Sequence, residues 1–303
     1  MKIFYHNDAD GKCAGHIVYE YVMSHEDFLG RMARYGDVDC IAVDYHNPFP
    51  VECIDSCEAV FIVDFSPDAE IFLKIIQRTP SVTWIDHHIS ALQSLEDFSF
   101  LPGLRSVDYA GCVLTWAYFH CGFNGRLYNF RHNVSIYEDD IGTCPLYVRL
   151  IGDRDTWSFA YGNDSKAFHE AFRYLGEPTP DYGLTWSKLE LQTDEWIKKG
   201  TSLLKYRDTL YQSMTDAWAY EAEFEGHTIL ACNSAIFSSD IFGNRFPQYP
   251  FVAVYCHNGE KVKVSLYSAN MDVVDIAQKY GGGGHPRACG FVVENLPFRR
   301  LSK

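Results

Sequence analysis

The side chains with the clearest chemical potential are acidic and imidazole groups that fall just past short apolar runs. His6, Asp8 and Asp10 follow Lys2 to Tyr5, Asp64 follows Phe61-Ile62-Val63, and Asp86-His87-His88 follows Trp84-Ile85. Asp44 and His46 stand in a similar place after Cys40 to Val43, with a weaker claim. An unpaired carboxylate leaving an apolar strand costs several kcal/mol, so something positive must meet Asp64 and Asp86. The His-x-Asp-x-Asp segment puts three side chains on one side of an extended loop, because successive side chains alternate. Oxygen and imidazole donors without thiolate suit Mn²⁺ or Mg²⁺, with Zn²⁺ and Co²⁺ as competitors. The set is too large for one ion. Two cations about 3.5 to 4 Å apart, sharing a carboxylate, would use it, and such pairs hydrolyse phosphate esters by clamping the attacking and leaving oxygens. Each Asp taken singly reads as a strand-end cap or a solvated loop acid; the set reads as a metal site.

A second group is Gly281 to Gly284 with His285 and Arg287. A glycine run after a helix can be a plain terminating turn. Glycines also let backbone N–H groups close on phosphate oxygens, and His285 and Arg287 would add donors and charge beside them. The residues alone leave both readings open.

Bringing the first group together requires its strands to share an edge. Lys2 to Tyr5, Cys40 to Val43, Ala59 to Val63 and Val82 to Ile85 read as short buried strands. Helical patterns fall between them at Gly11 to Met23 and after Ser66-Pro67, the latter with a Ser cap and Pro in the first turn. This alternation predicts a parallel sheet with helices on both faces and a ligand site at the carboxyl ends of the strands. Cys112 to His120 reads as a buried helix, and Tyr147 to Ile151 as a short element ending at Gly152-Asp153. After the breaker run Gly176 to Pro180, Leu189, Trp196, Leu203 and Leu210 recur at seven-residue intervals. That spacing predicts one amphipathic helix of about 30 residues, able to connect two domains. Strands at His227 to Cys232, Phe251 to Cys256, Lys261 to Tyr267 and Cys289 to Val293, with a helix over Asp272 to Lys279, complete a smaller α/β domain.

Composition limits the partners. With 26 Lys and Arg against 40 Asp and Glu, the net charge of −14 argues against a basic groove for a long duplex or a membrane surface. No stretch approaches the roughly 18 apolar residues of a spanning helix, and acidic residues stand where a signal peptide needs its apolar region, so a cytoplasmic protein is expected. The chain of 303 residues suits two domains. Its ten cysteines are scattered without a CxxC pair and read as reduced core residues. The aromatic residues, 16% of the chain, read as packing rather than a stacking track.

His6-Asn7-Asp8-Ala9-Asp10-Gly11, Asp64 and Asp86-His87-His88 resemble the first three motifs of the DHH phosphoesterase family, which is named for the last triplet. Gly281 to Phe291 resembles the glycine-rich signature of the DHH-associated substrate-binding domain. The two motif sets stand in family order and frame nearly the whole chain. The compact first motif is similar to the branch of nano-RNases and small-nucleotide phosphodiesterases, whereas family II pyrophosphatases have a different second domain without this glycine run. The resemblance implies a DHH catalytic metal-binding domain over 1–184, a connecting helix over 185–216 and a DHH-associated substrate-binding domain over 217–303.

It also implies roles. His6 and Asp8 would hold one ion, Asp10 and His87 the other, and Asp64 would bridge them. His88 would face the substrate phosphate, with Asp86 orienting the neighbouring histidine. The family's fourth motif is a later Asp; Asp153, at the end of an apolar element, is preferred to Asp155. Gly282, Gly283, Gly284, His285 and Arg287 would bind substrate. One departure is Tyr267 in Ser265-Leu266-Tyr267-Ser268, where a basic residue is common; Arg245 or Arg287 could compensate. The implied activity is hydrolysis of short oligonucleotides or linear or cyclic dinucleotides to nucleoside monophosphates, by in-line water attack with two divalent cations. Mn²⁺ stands first, with Mg²⁺, Co²⁺ or Zn²⁺ as alternatives. Rival readings are a phosphatase for 3′-phosphorylated nucleotides, a single-strand exonuclease and a nucleotide-binding protein without turnover. Long duplexes and membranes are not expected as partners, and a homodimer is compatible.

Overall fold

A computed structural model describes residues 1–24, 37–121 and 142–301. It divides into two compact units, Met1–Leu203 and Leu204–Lys303. In the first, β1 (Lys2–His6), α1 (Ala9–Ser24), β2 (Asp39–Val43), β3 (Val60–Val63), α2 (Ala69–Arg78), β4 (Val82–Ile85) and α3 (Ile89–Ser94) are followed by α4 (Gly111–His120), α5 (Leu146–Asp155), α6 (Asn163–Tyr174) and α7 (Gly183–Leu191). The division falls inside α8 (Thr193–Trp218).

The four strands are parallel in the order β2-β1-β3-β4. Side chains alternate across the sheet, so Ile3 and Tyr5 join one core while Phe4 joins another. Ile17, Leu114, Val148 and Trp186 pack with Ile3 and Tyr5, and Phe72, Ile75 and Leu92 pack with Phe4. Helices therefore cover both faces, as the alternating pattern predicts. The chain passes from β1 to β2 on one side and then to β3 on the other. The crevice outside the carboxyl ends of β1 and β3 is thus the switch point at which parallel sheets bind ligands.

Three local readings change. α2 is capped by Asp68, whose side chain accepts from Ile71 N, and not by Ser66; Ser66 is turned to another task described below. The predicted single helix near residues 185–216 is two, α7 and α8, because Gln192 leaves helical geometry (φ −125°, ψ 30°). The seven-residue spacing mixes buried Leu189 with exposed Leu210, so it does not mark one continuous face. The glycine run is not merely a turn after a helix, since part of it is a strand.

The second unit contains β5 (Ala219–Phe224), β6 (His227–Asn233), β7 (Val252–His257), β8 (Val262–Tyr267), α9 (Val274–Lys279), β9 (Gly283–His285), β10 (Ala288–Val293) and β11 (Arg299–Arg300). They form one sheet in the order β11-β5-β6-β7-β8-β10-β9. β6 and β7 are parallel and the other pairs antiparallel. All ten cysteines are free. Among the described residues, no helix is long and apolar enough to cross a membrane.

Candidate metal centre

β1, β3 and β4 end side by side and deliver their following residues to one edge. Asp64 continues β3, is 1% exposed and has a left-handed backbone at φ 54°. That conformation is strained for a residue with a Cβ and persists only where the surroundings enforce it. Neither Asp64 oxygen has a hydrogen-bond partner. His87 Nε2 lies 3.1 Å from Oδ1 and His6 Nδ1 lies 3.8 Å from Oδ2, at charge-pairing distance but outside hydrogen-bond alignment. Gly111 makes room for this carboxylate, for a Cβ there would sit 2.6 Å from that of Asp64.

The remaining donors surround Asp64. His6 Nδ1 is 2.7 Å from Asp8 Oδ2, and His87 Nε2 is 3.8 Å from Asp10 Oδ2 and 3.5 Å from Asp155 Oδ2. Ligand atoms of His6, Asp8 and Asp64 lie within 4.8 Å of one another, as do those of Asp10, His87 and Asp155 and those of Asp64, Asp86, His87 and His88. Asp10 also accepts from Gly111 N at 2.7 Å and Cys112 N at 2.9 Å, so it caps the start of α4, where the helix dipole favours a negative charge. Gly111 and Cys112 escape a sequence reading because their partner is distant in the chain.

Electrostatics reflect the crowding. Burial disfavours a charged His6, but the Asp64 and Asp8 carboxylates outweigh it and lift its pKa to about 10. The same balance, with Asp64 and Asp10 as partners, lifts His87 to about 10. Burial and then the Asp64 charge push Asp10 up to about 7, and burial and then Asp10 push Asp155 up to about 7. Burial also raises Asp64. Asp8 is lowered, since His6 overcomes its burial. Protons thus accumulate where the carboxylates would otherwise repel one another.

Asp86 differs from its neighbours. Its Oδ1 accepts from His88 Nδ1 at 2.8 Å and His87 N at 2.7 Å, and its Oδ2 from the Ser66 hydroxyl, which itself accepts from Trp84 Nε1 at 3.0 Å. Burial favours its neutral form, but the His88 partner prevails and the pKa is lowered. Asp86 therefore orients His88, whose ring stands 6.0 Å from that of His6.

Of the two late aspartates, the geometry brings Asp155 to the cluster rather than Asp153, the one preferred from the sequence. Asp153 accepts from Ala160 N at 2.7 Å, Tyr161 N at 3.3 Å and the Ser165 hydroxyl, so its oxygens serve the loop after α5. Asp155 is the one that reaches His87. Asp44 accepts from His46 N and Asn47 N in a local turn, and neither Asp44 nor His46 joins the described clusters.

The donor set fits divalent cations. Two orphaned carboxylate oxygens on a buried, strained residue, ringed by carboxylates and imidazoles and without thiolate, are what hard or borderline cations require.

In the second unit Gly281 and Gly284 have positive φ, 75° and 140°, and a Cβ on Gly282 would meet Gly290 O at 2.0 Å. Gly283 pairs with Gly290, Gly284 with Cys289 and His285 with Ala288, forming the sheet edge. Gly282 and Gly283 line a cavity of about 510 Å³ with Lys263, Ser265 and Tyr267; Gly284 and Arg287 are outside that lining. Arg245 lies 3.6 Å from Asp216. The side chain of His285 is outside the described residues.

Residues 240–301 match the DHHA1 domain. An uncharacterised protein of Acanthamoeba polyphaga mimivirus is 27% identical over 271 residues, covering 84% of this chain and 59% of that protein, so the chain spans less than two thirds of that relative. The DHH domain of a member of a ribosomal-protein family superposes with a TM-score of 0.58 at 15% identity, over 96% of this chain and 82% of that one. A pGpG-specific phosphodiesterase from Vibrio cholerae superposes with a TM-score of 0.52 at 12% identity, over 97% and 93%. An exopolyphosphatase-related protein from Bacteroides fragilis gives 0.54 at 13% identity, over 97% and 87%. At such identities the likeness establishes the fold.

Proposed function

We propose that this chain, whose residues 240–301 match the DHHA1 domain and whose fold is that of a DHH domain, is a DHH phosphoesterase that hydrolyses phosphodiester bonds in short oligonucleotides or linear or cyclic dinucleotides, releasing nucleoside monophosphates. The observation that carries this reading is Asp64, a buried carboxylate with both oxygens orphaned at the sheet's switch point. His6, Asp8 and Asp64 would hold one divalent cation, and Asp64, Asp10, His87 and Asp155 a second, with Asp64 common to both. Mn²⁺ is the cation proposed, with Mg²⁺, Co²⁺ and Zn²⁺ as alternatives that the same donors accept. Bound there, the cations supply Lewis acidity toward phosphate oxygens and make water acidic enough to act as a nucleophile near neutral pH.

The chain's own groups do the rest. Asp86 fixes the His88 ring through Nδ1, which leaves Nε2 as the atom offered to a phosphate oxygen, and a protonated His88 would stabilise charge developing there. His88 is held toward its protonated form, since the Asp86 partner overcomes the effect of burial. The glycine-rich strand of the C-terminal unit, through Gly282 and Gly283 and with Lys263 and Tyr267 in the same cavity, is assigned to nucleotide binding. Arg287 and His285 are retained as further contacts to the phosphates.

A substrate panel with Mn²⁺ tests the reading. Dinucleotides, cyclic dinucleotides, a 3′-phosphorylated nucleotide and pyrophosphate would be compared by product chromatography. Monophosphate release from a dinucleotide is expected. Orthophosphate from the 3′-phosphorylated nucleotide alone would replace the diesterase by a phosphatase, and binding without any product would make the chain a sensor.

A further inference from the structure

The loop between α5 and α6 holds a cluster of cations and aromatic rings that the metal centre does not use. Trp157 is 53% exposed. The Arg154 guanidinium carbon lies 4.7 Å from the Trp157 ring centroid and 5.5 Å from that of Phe159, and the two rings meet edge to face at 5.7 Å. Lys166 Nζ is 4.9 Å from the Phe159 ring, and Arg149 donates to the Tyr161 hydroxyl at 3.1 Å. Three cations, Arg149 and Arg154 from α5 and Lys166 from α6, gather around the rings of this loop in a chain of net charge −14.

This loop is held at considerable cost. Trp157 and Phe159 have φ of 56° and 48°, the left-handed region that bulky side chains avoid. Asp153, 8% exposed, gives its carboxylate to Ala160 N, Tyr161 N and Ser165. A buried charge and two strained residues thus present an indole to solvent, whereas a tryptophan serving stability alone is usually buried. Arg154 stacks on the ring, and the exposed indole surface remains for a second planar group. The position also matters. Asp155 immediately follows Arg154 and reaches within 3.5 Å of His87, so the chain runs directly from the metal centre into this loop.

We propose that Trp157, backed by Arg154, is a stacking platform for a nucleobase of a single-stranded oligonucleotide, next to the phosphate that is cleaved. Arg149 and Lys166 are the cations available to the strand's further phosphates. Base faces stack on indole whatever their sequence, and an arginine on the opposite side strengthens the sandwich. The proposal rests on the phosphodiesterase reading above and specifies which part of a substrate unit one recognises.

Trp157→Gly is the informative variant, because glycine accepts a positive φ and removes the ring without adding strain. The full chain with Mn²⁺ would be assayed on a tetranucleotide and on the same tetranucleotide made abasic at each position in turn. The wild type should prefer the intact substrate over one abasic version by about tenfold, within the range of a base–aromatic stack. Trp157→Gly should abolish that preference at an equal or higher melting temperature, and Trp157→Phe should keep most of it. A 2-aminopurine tetranucleotide with Ca²⁺ in place of Mn²⁺ should be quenched by the wild type and not by Trp157→Gly. An unchanged preference in Trp157→Gly, or unchanged quenching, overturns the platform and leaves the diesterase standing. A lower melting temperature with the preference intact makes the ring structural. Failure of the wild type to cleave any tetranucleotide confines the diesterase reading to dinucleotides, and the quenching measurement then decides the platform alone.

Discussion

Asp64 and Asp86 follow the paired ends of β3 and β4, Val63 and Ile85, and both are buried carboxylates. Asp86 is saturated by Ser66, His87 N and His88, while Asp64 has no hydrogen bond to either oxygen. Burial pushes both toward neutrality, yet the pKa of one falls and that of the other rises. Burial therefore does not distinguish a ligand from a support; the hydrogen-bond inventory does. The satisfied carboxylate holds a histidine, and the orphaned one is the proposed cation ligand.

The strongest way to break this comparison is to exchange charge for amide at each position. Asp64→Asn should lower kcat/KM by about 10³-fold or more, as expected for removing a ligand shared by a Lewis-acid pair. Asp86→Asn should lower kcat about 10- to 100-fold with cation content retained, the usual scale for a group that orients a functional histidine. Equal losses from the two, with equal loss of cations, would remove the distinction. The same contrast recurs on α5. Asp155→Asn should weaken apparent Mn²⁺ affinity about 10- to 100-fold. Asp153→Asn should instead cost about 2 kcal/mol of stability, seen in urea unfolding, and leave the Mn²⁺ midpoint in place.

That last pair shows where the sequence stops being legible. The apolar runs closed by His6, Asp8, Asp64 and the Asp86 triplet reveal the strands and their common edge, since strand-end acids are informative once the sheet is parallel. The end of an apolar element is a poor guide on a helix, where direction is set by period. Gly152 packs against Ala110 and Val113 at the start of α4, and Asp155, three residues on, shares that face and points to Asp10 and His87. Asp153 is turned toward Ser165 instead. Ser66 was equally ambiguous, because its type and Pro67 both suit a helix start, while only the fold brings Trp84 and Asp86 to its hydroxyl. The capping of α4 by Asp10 has no local signal at all.

Proton linkage sharpens the comparison further. In the metal-free protein His6 and His87 have pKa values of about 10, raised above the ordinary 6.5. Their pairing with the carboxylates thus contributes stability that is fully present below about pH 6.5 and is lost as pH rises through about 10. A cation must displace these protons, so Mn²⁺ affinity should rise with pH between about 6 and 9, with proton release seen as a buffer-dependent binding enthalpy. Affinity independent of pH would mean the histidines are not ligands. The smallest effect is expected for Ser66→Ala, which removes one hydrogen bond to Asp86 and should cost about 1 kcal/mol in denaturant unfolding.

The central claim is that Asp64 is shared by two cations. Equilibrium dialysis against Mn²⁺, with metal counted by mass spectrometry on the wild type and on Asp64→Asn, tests it most directly. Two ions per chain in the wild type and loss of both in the variant are predicted. Two ions retained by Asp64→Asn, or none bound by the wild type, would contradict the account.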